Sequence, residues 1–90
     1  MLFVSICTWT PDNRTEITKR RAEKGMMTPE GVTIKGEWVD VSGGRDVLLM
    51  EADDTAAMIA QVFAWDDLME LETFPVMEAV PLMDIVTKML

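Results

Sequence analysis

From Leu2 to Thr8 the chain is apolar at nearly every position and rich in β-branched side chains. Alternate residues of a strand face opposite sides, so Leu2, Val4 and Ile6 point one way and Phe3, Cys7 and Trp9 the other. Both sets are apolar, which predicts a central strand covered on both faces. The pattern then changes to a helical one. Thr10 is a cap residue, Pro11 suits a first helical turn, and Asp12 suits the positive end of the dipole. The helix is expected to reach about Lys24, where Gly25 stops it. Its apolar stripe is thin, Ile17 and Ala22 with little else, so it packs weakly or lines a polar cavity. Thr28-Pro29-Glu30-Gly31 is a turn by composition. Val32–Val39 reads as a second strand whose Thr33, Lys35 and Glu37 form a polar side, as suits a sheet edge.

Asp40–Gly44 reads as a hairpin loop and Arg45–Ala52 as a third strand, apolar on both faces through Val47-Leu48-Leu49-Met50. Asp53-Asp54-Thr55 then opens a second helix with capping carboxylates, and Met58, Ile59, Val62 and Trp65, with Phe63 beside them, give its apolar stripe. Leu68–Phe74 alternates as a fourth strand, and Pro75 marks its edge or end. In Pro81–Leu90, Leu82, Ile85, Val86 and Met89 share one helical face. Isolated helices shorter than about 12–15 residues are marginal in water, so this last one is expected to dock on something.

Strand, helix, strand, strand, helix, strand is the order of an α+β, ferredoxin-like βαββαβ domain. Its four-stranded antiparallel sheet has the spatial order 4-1-3-2. That order places the first and third strands in the centre, the two strands that are apolar on both faces. Residues 1–78 form the domain, and 79–90 an amphipathic helical tail. Two helices cover one face of such a sheet. The other face calls for a second copy, so a homodimer packed sheet to sheet is expected.

Composition narrows the chemistry. The chain has 90 residues, no His, no Tyr and one Cys. Histidine catalysis, histidine metal ligands, zinc clusters and internal disulfides are thereby excluded, and neither a metal nor a cofactor is expected. The unpaired Cys7 suits a reducing, cytoplasmic setting. The formal charge of −8 argues against nucleic acid as a partner. Met1–Trp9 lacks a basic flank and a cleavage pattern and reads as a strand, not a leader. No apolar run approaches the ~18 residues of a membrane span. The charge is uneven, with residues 1–24 at +2 and residues 25–90 at −10, a basic first helix on an acidic body. Apolar residues make up 49% of the chain and nine are Met, more apolar surface than so small a body readily buries.

Several segments taken in order carry a resemblance. They are Gly25, Pro29-Glu30-Gly31, Gly36-Glu37-Trp38-Val39-Asp40, Gly43-Gly44-Arg45, Met50-Glu51-Ala52-Asp53-Asp54 and Trp65-Asp66-Asp67-Leu68. Over residues 1–78 the chain resembles an uncharacterised bacterial and archaeal family, a domain of unknown function placed among the dimeric α/β barrels. The resemblance implies a ferredoxin-like dimer. The wider superfamily includes cofactor-free monooxygenases, muconolactone-isomerase-like enzymes and stress-responsive barrel proteins. It transfers a fold and no catalytic residue.

The residues themselves suggest one pocket. With a hairpin loop of two or four residues, Ile34, Gly36, Trp38 and Asp40 share a face with Arg45, Val47, Leu49 and Glu51. A two-residue Gly43-Gly44 loop sets Trp38 opposite Leu49 and Gly36 opposite Glu51. The glycine then leaves a gap, with Trp38 and Leu49 as walls and Glu51 as the polar group. A half-buried carboxylate in apolar surroundings has a raised pKa and serves as acid or base. Alternatively Glu51 pairs with a basic residue such as Arg21, or lies exposed near the strand end. Arg21 is a candidate for holding an anionic ligand, and Trp9 for a flat aromatic slot or a core anchor. Two functions remain open. One is a small-molecule barrel binding an apolar or aromatic acid-like ligand, with monooxygenase or isomerase chemistry. The other is a non-catalytic structural or protein-interaction dimer.

Overall fold

The computed structural model describes all 90 residues, Met1–Leu90. Strand β1 (Leu2–Thr8) leads through a 3-10 turn at Pro11–Asn13 into helix α1 (Arg14–Lys24). Strands β2 (Val32–Val39) and β3 (Arg45–Ala52) follow, then α2 (Thr55–Phe63), β4 (Glu70–Val76) and α3 (Ala79–Lys88). The sheet order is β2-β3-β1-β4 with antiparallel pairs throughout. This is the expected ferredoxin-like plan, with β1 and β3 in the centre. No helix is long and apolar enough to cross a membrane.

The local signals work unevenly. Asp54 caps α2 by accepting from the Ala57 N–H at 2.9 Å, and Gly25 closes α1 at φ 67°. Thr10 makes no side-chain cap, and Pro11 opens a 3-10 turn in place of the first turn of α1. The stripe of α2 is also set differently from expectation. Met58, Gln61 and Trp65 are buried, whereas Ile59 and Phe63 face outward. Strand β4 begins at Glu70 and runs through Pro75 to Val76, which an edge strand tolerates because the proline has no ladder bond to donate.

Cross-strand register sorts the sheet into two faces. Toward the helices lie the rows Val39–Asp46–Cys7–Leu71, Glu37–Leu48–Ser5–Thr73 and Ile34–Met50–Phe3–Pro75. The core is built here, around Phe3, Cys7, Leu48, Met50 and Met58. On the open face lie the rows Trp38–Val47–Ile6–Glu72, Gly36–Leu49–Val4–Phe74 and Thr33–Glu51–Leu2–Val76. No element of the chain covers that face.

Helix α3 is equally bare. None of its residues is buried, and Leu82, Ile85, Val86 and Met89, the predicted docking face, are all exposed. The radius of gyration is 15.1 Å, against about 12 Å for a compact chain of this length. The accessible surface is 6259 Å², where a folded monomer of this mass exposes roughly 5,300 Å². The excess of about 1,000 Å² is the scale of one side of a standard protein interface, about 800 Å².

Candidate functional site

Helix α1 buries no residue and is held over the sheet by polar clasps. Arg20 donates to both oxygens of Asp67, at 2.8 and 2.7 Å, and to the Ala64 carbonyl at 2.9 Å, while its guanidinium lies 5.5 Å from the Trp65 ring centre. The Asn13 amide donates to the Leu68 carbonyl at 2.9 Å. The Trp65 indole N–H donates to the Met26 carbonyl, also at 2.9 Å. On the other flank Arg21 makes a forked pair with Glu37, one arm at 2.6 Å. A helix with so few apolar residues cannot pack down on the sheet, and the clasps hold it off.

Beneath it is a cavity of about 400 Å³, within the roughly 300–1,000 Å³ of small-molecule sites. Ten of its 15 lining residues are hydrophobic. Trp9, Met26, Leu48, Trp65, Met69 and Leu71 supply most of the apolar wall, and Arg21, Asp46 and Gln61 the main polar groups.

Asp46 is the chemically distinctive residue. It is buried on a central strand beside Cys7, its register partner on β1. Burial is the largest influence on its carboxyl, and a hydrogen bond with Glu37 the next; together they push its pKa up to about 7. Glu37 moves the other way, because the Arg21 fork stabilises its charge and lowers its pKa. Two acids whose pKa values are driven apart hold one proton between them near neutrality. Asp46 carries that proton, Glu37 the charge, and Arg21 neutralises Glu37. Asp46 Oδ1 and Gln61 Oε1 are both buried without a hydrogen-bond partner. Burial likewise raises the Cys7 thiol to about 11, so Cys7 is a wall and not a nucleophile.

The sequence-predicted residues divide between the two faces. Trp9 and Arg21 line the cavity. Trp38, Leu49 and Glu51 stand on the open face. The expected register between them is corrected by two features. The hairpin loop has four residues, Val41–Gly44, closed by the Asp40 N–H donating to the Arg45 carbonyl at 2.9 Å, so Trp38 faces Val47 and Gly36 faces Leu49. A bulge between Ile34 and Gly36 then turns Ile34 to the helix side and sets Thr33 opposite Glu51. The gap above Gly36 is filled by Trp38 itself, whose ring would lie 2.5 Å from a Cβ there. Glu51 bonds to the Met1 amino group at 2.8 Å, and this contact lowers its pKa, the reverse of the expected rise. Arg21 pairs not with Glu51 but with Glu37, and Glu37 thereby occupies the fork that an anionic ligand would need.

The expected register makes the odd-numbered side of β3 the pocket side, and Asp46 stands on the even-numbered one. The signal was nonetheless present: Asp46 alternates with Leu48, Met50 and Ala52, a lone acid on the more apolar side of a central strand.

A small ferredoxin-like domain with a cavity between sheet and helices is the class these features define. The chain belongs to the family described as Domain of unknown function (DUF3303), whose model matches residues 1–90; the match takes in the terminal helix. No curated protein matches it. Similar solved structures share the fold. A Deinococcus radiodurans protein assigned to the antibiotic biosynthesis monooxygenases is 12% identical, with a TM-score of 0.51 over 88% of this chain and 95% of that one. Rv0793 of Mycobacterium tuberculosis is 18% identical, with a TM-score of 0.52 over 88% and 99%. An uncharacterized NIPSNAP domain protein of Burkholderia xenovorans is 21% identical, with a TM-score of 0.52 over 88% and 96%.

Proposed function

We propose that this protein binds a small, largely apolar molecule in the cavity beneath α1, and that Asp46 gives or takes a proton there. The observation that carries this reading is Asp46 set in an apolar wall beside the Glu37–Arg21 pair, its pKa pushed up to about 7 by burial and by Glu37. A carboxyl with a pKa near the working pH is suited to general acid–base catalysis. The Deinococcus radiodurans neighbour is described as an antibiotic biosynthesis monooxygenase, and monooxygenase or isomerase chemistry in this cavity would draw on such an acid–base group.

Tryptophan fluorescence tests the site. Trp9 and Trp65 line the cavity and Trp38 does not. Titration with apolar aromatic compounds is expected to give a saturable change that survives Trp38→Phe. Ala22→Phe, which places a ring in the cavity from α1, is expected to abolish it. A response lost with Trp38→Phe, or unaffected by Ala22→Phe, contradicts the proposal.

We further propose that the working form is a homodimer. The open sheet face, the bare α3 and the excess accessible surface of about 1,000 Å² support it. On this reading ligand binding and assembly would use opposite faces of one sheet. A cytoplasmic setting fits the unpaired, buried Cys7.

A further inference from the structure

The polar groups in the cavity wall restrict what can occupy it. Gln61 is 2% exposed, sits within the buried stripe of α2, and leaves Oε1 without a partner. Asp46 is 9% exposed and leaves Oδ1 in the same state. A buried polar atom left unsatisfied costs roughly 1–3 kcal/mol, and two of them lining one apolar cavity mark it as incomplete without a ligand.

The charges around it point to the ligand's own charge. Arg21 is the cavity's one cationic wall residue and Asp46 its one acidic one. The Arg21 guanidinium is taken up by both oxygens of Glu37, so it offers no free fork to a carboxylate or phosphate. With Arg21 and Glu37 already neutralising each other, an anion would lose its hydration in an apolar wall and gain no free counter-charge. An ammonium group would meet Arg21 and would force the Asp46 proton off in an apolar setting. A hydroxyl supplies the missing donor without bringing a charge into the apolar wall. Its hydrogen can be donated to Asp46 Oδ1 or Gln61 Oε1, the two unpartnered oxygens, and its oxygen can accept from the Gln61 amide N–H.

We infer that the ligand of this cavity is a neutral, hydroxyl-bearing, largely apolar molecule whose hydroxyl is bound by Asp46 and Gln61. This rests on the binding reading above and narrows it from aromatic acids to neutral alcohols or enols. The flat side walls, Trp9 and Trp65, suit a ring.

A matched indane series tests it by calorimetric titration: the hydrocarbon, its alcohol, its amine and its carboxylate, at neutral pH. The alcohol is expected to bind about tenfold tighter than each of the others, the scale of one or two good buried hydrogen bonds. Gln61→Met removes the amide while keeping the length of the side chain. It is expected to cut the alcohol's advantage over the hydrocarbon to about threefold or less, leaving hydrocarbon affinity unchanged. The retained hydrocarbon binding shows in the same experiment that the variant is folded. If hydrocarbon and alcohol bind equally to the wild type, the hydroxyl assignment is wrong while the apolar cavity stands. If the amine or the carboxylate binds tightest, the neutral class is wrong. If none binds, the binding reading and this inference fall together.

Discussion

Replacing Asp46 with Asn is expected to stabilise the protein by about 1–3 kcal/mol at about pH 8 and to change it little at about pH 3. Asn has nearly the shape of the protonated acid and can still donate to Glu37. In the wild type the Asp46 pKa of about 7 lies well above its ordinary value of 3.8. Between those two values the folded state holds a proton that the unfolded chain has lost. Stability therefore falls as pH rises through this window, and the contribution is gone above the folded pKa. Asn carries no such proton and escapes the loss. Three other groups face Asp46 or act on it: Arg21 from α1, Glu37 from β2 and Cys7 from β1. Glu37 works in the opposite sense. Its pKa is lowered from 4.5, so its contribution is present above that value and fades as pH falls below it. The two windows do not coincide, and urea unfolding of wild type and Asp46→Asn at several pH values separates them. Equal stability differences at both pH values would mean that Asp46 is not held protonated.

Ile6→Asp is expected to convert a dimer to a monomer without unfolding the domain. Ile6 stands in the middle of the open face, between Val47 and Glu72 in its row, with Val4 and Leu49 in the row beside it. Its side chain is outside the core formed with the helices, so the folded monomer tolerates a charge there. In a two-fold dimer packed through this face the substitution places two carboxylates in one apolar interface. Each buried unpaired charge costs at least about 1–3 kcal/mol, so with two of them dimer affinity should fall by at least about thirtyfold. Sedimentation at micromolar concentration reads the result. Wild type should run as a dimer of the 10.1 kDa chain and Ile6→Asp as a folded monomer. A monomeric wild type refutes the dimer, and a dimer untouched by Ile6→Asp places the interface elsewhere. Removing residues 79–90 then asks whether α3 takes part: loss of the dimer makes it a structural arm, and an intact dimer leaves it free for another role.

Much of the fold was legible in the sequence because its signals are local and redundant. The two doubly apolar strands, Leu2–Thr8 and Arg45–Ala52, named the sheet centre. Asp54 and Gly25 marked helix ends, and Gly43-Gly44 marked a hairpin. The site was harder to read because it depends on register, and register turned on two small features. A four-residue loop moved Trp38 from Leu49 to Val47, and one bulge turned Ile34 to the other face. Which face of β3 the helices cover is a long-range fact that alternation alone does not state. Trp9 and Arg21 were found because they lie outside the hairpin and its register. The pairing of Arg21 with Glu37 is not legible because the bulge breaks the expected polar side of β2, leaving Glu37 on the helix face and Thr33 on the open one.

Amide shift mapping tests the central claim most directly. A ¹⁵N-labelled wild-type protein is titrated with the indane alcohol and the perturbed residues are placed on the sheet. The predicted shifts concentrate on Ser5, Cys7, Asp46, Leu48, Gln61 and Trp65, the helix side of the sheet and the facing turn of α2. Shifts concentrated instead on Trp38, Leu49 and Glu51, across the sheet from the helices, would contradict a ligand site beneath α1.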